Sequence, residues 1–174
     1  MKQPILILGS ARGESTTRGF AQQLLGATPH TVIDLREYAV APYSYQSNYP
    51  AQDEFLALIE RVLEHDPVIF ATPVYWYSMS GSMKTFFDRI TDLTRMRKDL
   101  GRRLAGKSVL LVATGSDAEL PPGFAVPFEL TAAYLNMPFG GAFYYSDKTP
   151  LPESVATQRP RFVAALTKPN PNNS

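Results

Sequence analysis

The chain contains no cysteine. That absence excludes disulfides, thiol nucleophiles, thiolate metal sites and cysteine-ligated iron–sulfur clusters together. Histidine is nearly as scarce: His30 and His65 are isolated, and His65, near a predicted helix end, suits a helix-dipole contact better than metal ligation. No apolar run is long. The N-terminal one, residues 5–8, stops at Gly9, far short of a signal-peptide core or a membrane span, so the expected location is the cytoplasm. Neither charge dominates, with 17 Lys and Arg against 16 Asp and Glu for a net charge of +1. Such balance offers no general attraction to nucleic acid or membrane, and directs attention to small molecules recognised locally.

The length of 174 residues and a hydrophobic content of 44% suit one domain with a substantial core. We assign residues 1–168 to that domain and expect the tail, residues 169–174 with sequence PNPNNS, to be disordered. Short apolar runs at residues 4–8, 31–35, 67–72, 108–114 and 137–145 read as strands and alternate with helical patterns. Helical spacing is carried by Phe55, Ile59, Val62 and Leu63, by Met83, Phe86, Phe87 and Ile90, and by Phe128, Ala132 and Leu135, with Pro127 in a first turn. A shorter helix over residues 17–25 ends at Gly26, and a last one over residues 152–166 should kink or restart at Pro160. The alternation predicts an α/β fold, a flavodoxin-like three-layer sandwich whose five-stranded parallel sheet has the order 2-1-3-4-5. Strands 1, 3 and 4 are then adjacent, and ligands bind at their carboxyl ends.

Unusual loops fall at those three places. The loop after strand 1, GSARGESTT, runs into a helix; exposed amides there, joined by the hydroxyls of Ser10, Ser15, Thr16 and Thr17 and the guanidinium of Arg12, make a phosphate site. Simple helix capping explains the same residues about equally well. A nucleotide P-loop lysine is missing, as are the middle and last glycines of the dinucleotide fingerprint, although Asp34 at the end of strand 2 keeps a ribose-binding reading open. The loop after strand 3, PVYWYSMSG, places the chain's single tryptophan between two tyrosines. Its backbone can meet the polar edge of a planar heterocycle beside aromatic faces; an aromatic plug over the sheet or a subunit contact are the plainer readings. The loop after strand 4 contains TGSD. Two strand spacings of about 4.8 Å separate the first and third loops by roughly 10 Å, the scale of a ligand with a phosphate at one end and a ring system at the other, as in FMN.

These residues resemble the NAD(P)H-dependent FMN reductases of the flavodoxin-like superfamily, which include quinone and azo-dye reductases. LGSARGESTT is similar to that family's phosphate loop, TPVYWYSMSGSMKTFFDR to its flavin-ring loop, and ATGS holds the third position. The resemblance runs from about residue 4 to residue 145. It implies that Ser10, Arg12, Ser15, Thr16 and Thr17 surround the FMN phosphate, that Pro73, Val74, Tyr75, Trp76, Tyr77 and Ser78 border the ring, and that Thr114, Gly115 and Ser116 close the far side. It also implies NADPH or NADH as electron donor, a small-molecule acceptor such as a quinone, azo dye, nitro compound or flavin, and a homodimer or homotetramer. Ser15 and Thr16 depart from the Gly and Asn frequent at those places.

An electron carrier is the rival class, disfavoured because flavodoxins are usually strongly acidic; a flavin-free dinucleotide module is a third. Tyr38, Tyr43, Tyr45 and Tyr49 crowd one connection, either as a lid or as loop packing. The basic residues Arg95, Arg97, Lys98, Arg102 and Arg103 could meet the extra phosphate of NADPH, though a solvated basic face is the simpler account. No metal site is expected, and no acid or base residue is obligatory for hydride transfer.

Overall fold

A computed structural model describes residues 2–167, so the expectation for the tail, 169–174, lies outside the described residues. Strands β1 (Ile5–Leu8), β2 (Thr31–Asp34), β3 (Val68–Pro73), β4 (Val109–Gly115) and β5 (Phe139–Ser146) form one parallel sheet in the order β2-β1-β3-β4-β5. Each lies within two residues of its expected run. The central strands read as unbroken apolar segments because helices cover both of their faces. Alternation decides which face each residue serves. Leu6, Leu8, Ile69, Leu110 and Val112 pack with Phe20, Leu24 and Phe162 of helices α1 (Thr16–Leu25) and α6 (Leu151–Leu166). Ile5, Ile7, Phe70 and Leu111 meet Phe55, Phe86 and Phe128 of α2 (Phe55–Leu63), α3 (Gly81–Arg95) and α5 (Val126–Tyr134). A void of about 30 Å³ remains among Phe70, Phe86, Phe87 and Phe128 and is lined almost wholly by apolar side chains.

Three features depart from the sequence reading. A short helix, α4 (Lys98–Arg102), follows α3 where no element is expected; five residues are too few to show a period. Pro160 neither stops nor restarts α6, which is continuous across it. The proline is exposed, while Phe162 and Ala165 anchor the following turns in the core. β5 begins at Phe139 and carries an irregular register opposite Val109 and Leu110. There, a Cβ on Gly140 would stand 2.4 Å from a Leu110 methyl, and Gly141 has φ +123°. Both positions need glycine.

Register fixes the working end of the sheet. Leu8 pairs with Ala71, whereas β3 and β4 run on together to the Pro73–Thr114 pair. The loops after β1, β3 and β4 therefore emerge side by side.

Candidate functional site

The loop after β1 continues the sheet for one bond, Gly9 N–H to Ala71 O at 2.8 Å. It then passes so close to α3 that a Cβ at Gly9 would lie 2.9 Å from Met83 Cβ. Ser15 is the N-cap of α1, its hydroxyl accepting from the Arg18 amide at 3.1 Å. Capping is thus part of this loop's chemistry. The Ser10 hydroxyl donates to Arg12 O at 2.8 Å, and the buried Thr17 hydroxyl meets that of Thr114 at 2.6 Å, tying the first loop to the end of β4. Arg12 and Thr16 remain exposed at the helix N-terminus.

The loop after β3 is held at its base. Val74 N–H donates to Thr114 O at 2.7 Å; the Thr72 hydroxyl accepts from the Ser80 amide at 3.0 Å and donates to Pro73 O at 3.1 Å. Tyr75 and Ser78 exchange backbone hydrogen bonds of 2.9 and 3.0 Å around Trp76 (φ 48°) and Tyr77 (φ 63°). Two successive positive φ angles define a type I′ turn, which Asn-Gly normally fills. A residue with a Cβ is disfavoured there by about 1–2 kcal/mol. Trp76 is 94% exposed and Tyr77 69%, so neither plugs the end of the sheet.

Between these loops lies a cleft of about 290 Å³, lined by Ser10, Ala11, Arg12, Ser15, Thr16, Thr17, Pro73, Val74, Tyr75, Thr114, Gly115, Ser116, Tyr145 and Asp147. Eleven of the fourteen residues singled out from sequence are brought together here; Trp76, Tyr77 and Ser78 stand on the turn outside the lining. Ala11, Tyr145 and Asp147 were not anticipated. The last two follow from the strand order, which sets the end of β5 beside β4, where Asp147 N–H donates to Gly115 O at 3.1 Å.

Other candidates lie elsewhere. Asp34 is buried and its carboxylate is fully engaged: Oδ2 accepts from Arg18 and Arg36 Nη2 at 2.7 Å each, and Oδ1 accepts from the Arg36 amide and Nε at 3.1 Å. Burial opposes its ionisation, but the hydrogen bonds from Arg36 and Arg18 prevail and hold it below the usual carboxylate range. It has no capacity left for a ribose. The tyrosine-rich connection packs on α2 and α3: Tyr38 accepts from Arg61, Tyr43 from Arg95, and Tyr49 donates to Asp92. Of the basic segment, Arg95 is spent on Tyr43 and Arg97 pairs with Asp99; none of its members lines the cleft. Among the described residues no group of His, Cys, Asp and Glu could hold a metal, and no helix is long and apolar enough to cross a membrane.

The profile of the family described as NADPH-dependent FMN reductase matches residues 4–121. The chain belongs to that family. It is an FMN-dependent NAD(P)H oxidoreductase. YwqN of Bacillus subtilis (strain 168), whose name describes an NAD(P)H-dependent FMN-containing oxidoreductase, is 29% identical over 145 residues, covering 78% of this chain and 80% of YwqN. The solved Trp repressor binding protein of B. subtilis superposes with a TM-score of 0.71 at 26% identity, over 96% of this chain and 100% of that one. General stress protein 14 of Treponema denticola, solved in complex with FMN, shares the fold at 20% identity and a TM-score of 0.63, over 95% and 98% of the two chains.

The donor set fits a flavin mononucleotide in this reductase. Hydroxyls, Arg12 and the amides of the first turn of α1 suit a phosphate dianion at one end. Pro73, Val74, Tyr75 and Gly115 present backbone and flat surface at the other.

Proposed function

We propose that FMN occupies this cleft, its phosphate held by Ser10, Arg12, Ser15, Thr16 and Thr17 and its ring bordered by residues 73–78 and 114–116, and that a small acceptor receives the electrons. The observation that carries this reading is the convergence of three loops on one cleft, joined across its floor by the Thr17–Thr114 contact. Bound FMN supplies the hydride chemistry. The chain's own residues bind and orient: Arg12 and the α1 N-terminus neutralise the phosphate, and the Thr72 hydroxyl fixes the β3 loop. Quinones, azo dyes, nitro compounds and free flavins are the acceptor classes in view. A cytoplasmic setting and a homodimer or homotetramer belong to the same reading, the latter checked by light scattering on the FMN-loaded protein.

Binding titrations test the placement. Wild type should bind FMN well and riboflavin poorly. The double variant S10A/T17A should lose at least tenfold in FMN affinity, because each hydrogen bond to a charged group contributes roughly 1.5–3 kcal/mol, while riboflavin binding changes far less. Equal losses for both ligands would put the phosphate elsewhere. Anaerobic NADPH or NADH alone should bleach the flavin absorbance, and a quinone added afterwards should restore it; an electron carrier would need a partner reductase for the first step.

A further inference from the structure

The tip of the loop after β1 has little of its own to hold it. Among the described residues, 10–14 make no backbone-to-backbone hydrogen bond, and their side-chain bond runs only from Ser10 to Arg12 O. A phosphate site needs this segment in one shape, because every conformer given up on binding subtracts from affinity. The brace comes from the end of β2. Asp34 lies in register with Leu8, the last residue of β1, and its carboxylate takes Arg36 in a side-on fork, Nε to Oδ1 at 3.1 Å and Nη2 to Oδ2 at 2.7 Å. The guanidinium fixed in this way covers Gly13: a Cβ there would stand 3.0 Å from Nη2 and 3.6 Å from Cζ. Oδ2 also accepts from Arg18 Nη2 at 2.7 Å, in the first turn of α1. A cation at a helix N-terminus opposes the dipole, and the tie to Asp34 accounts for its place. One carboxylate thus secures both the tip of the loop and its exit. Arg12, Arg18 and Arg36 are matched in number by Glu14, Asp34 and Glu37, so the group adds shape rather than net charge.

Resting on the placement of the FMN phosphate given above, we propose that Arg36, anchored on Asp34, is a positioning residue of the reductase: its guanidinium clamps the loop tip at Gly13 in the shape that receives the phosphate. Arg36 does not line the cleft and acts through the loop. Two features separate a clamp from a counter-charge. The fork demands two donors in one plane, which an ammonium cannot present. The contact demands that position 13 carry no side chain, so a single methyl group there presses on a guanidinium that Asp34 does not let retreat. A counter-charge would be indifferent to both.

The test titrates the full-length chain with FMN and with riboflavin and compares the ratio of the two Kd values among variants. A general loss of stability lowers both affinities, whereas loss of the clamp lowers that for FMN. R36A should weaken FMN binding about five- to thirtyfold, the equilibrium cost of ordering one loop residue, and change riboflavin binding by less than about twofold. R36K should stay within about twofold of R36A. G13A leaves every charge in place; it should weaken FMN binding by about threefold in the wild-type background and add nothing in the R36A background. A ratio in R36A equal to that of wild type overturns the proposal. So does recovery of FMN affinity in R36K, which makes Arg36 a counter-charge, and so does a G13A loss of equal size with and without Arg36, which places the constraint in the glycine backbone. Should R36A not fold, G13A alone carries the test, and an unchanged ratio in it overturns the proposal. Wild type is read first: if it binds FMN and riboflavin alike, the placement of the phosphate itself fails, whereas a preference for FMN that R36A retains in full defeats only the clamp.

Discussion

A methyl group at position 115 would sit 2.7 Å from the Tyr144 hydroxyl and 3.2 Å from Val74 Cβ, at the point where β4 opens into its loop. Tyr144 has little freedom to retreat, because its hydroxyl donates to Asp117 O at 3.0 Å. Overpacking of this kind is destabilising by about 1–3 kcal/mol. We expect G115A to lose that much in urea unfolding and to weaken FMN binding as the loop shifts. Removing the nearest obstacle distinguishes the two neighbours: in a Y144F background most of the loss should disappear. If G115A is equally damaging there, Val74 is the residue that cannot move. TGSD was recognisable in the sequence as a ligand loop, but the reason for its glycine was not, since Tyr144 comes from a strand paired only in the folded sheet.

At the scale of elements, α3 does two jobs. Its first turn, capped by Ser80, closes the aromatic loop, and its middle holds the long connection of residues 38–54 through Arg89. That guanidinium is 1% exposed. It donates to both Asp53 oxygens at 2.6 and 2.9 Å, to Asp92 at 2.8 Å and to Ala41 O at 3.0 Å, and lies 3.5 Å from the Tyr49 ring centroid. Removing one partner from a buried ion network is destabilising by about 3–5 kcal/mol. R89A should lose about that much in urea unfolding, and R89K should not restore it, since an ammonium cannot fork between two carboxylates. A loss below about 1 kcal/mol would mean that water replaces the guanidinium. The strands and long helices were legible because burial on both faces writes itself into apolar runs and helical periods. The Arg89 network was not: apart from Asp92 on the same helix, its partners Asp53 and Ala41 lie 36 and 48 residues away on a connection without a period. Pro160 does not restart the helix for a related reason, as packing from Phe162 and Ala165 outweighs a local helix-breaking preference. Of the site, the three loops were readable from strand order and local composition, whereas Tyr145 and Asp147 depend on how the fifth strand ends.

Taken as a whole molecule, the chain carries a net charge of only +1 at pH 7, and the specific part of its response to acid rests on carboxylates held in ion pairs with arginine. Asp34 is buried and Asp53 half-buried, and the desolvation of each carboxyl alone would favour its protonated form; the hydrogen bonds from Arg36 and Arg18 to Asp34, and from Arg89 to Asp53, reverse that and lower both pKa values from 3.8. A carboxyl whose folded pKa is depressed takes up its proton first in the unfolded chain as the pH falls. Its contribution is therefore complete above the unfolded value and is lost as the pH drops through the folded one. Stability should be level from about pH 7 to about pH 5 and fall steeply below about pH 4. Each unit of depression corresponds to about 1.4 kcal/mol. Urea unfolding at about pH 6 and about pH 3 measures the difference, and in D34N and D53N it should shrink, because each variant lacks one of the groups that titrate differently in the two states. Added salt should change it little, since pairs 2% and 8% exposed on their acidic side are poorly screened. A pH dependence that survives intact in both variants would assign the acid response to other carboxylates and leave these two ion pairs as fixers of geometry alone.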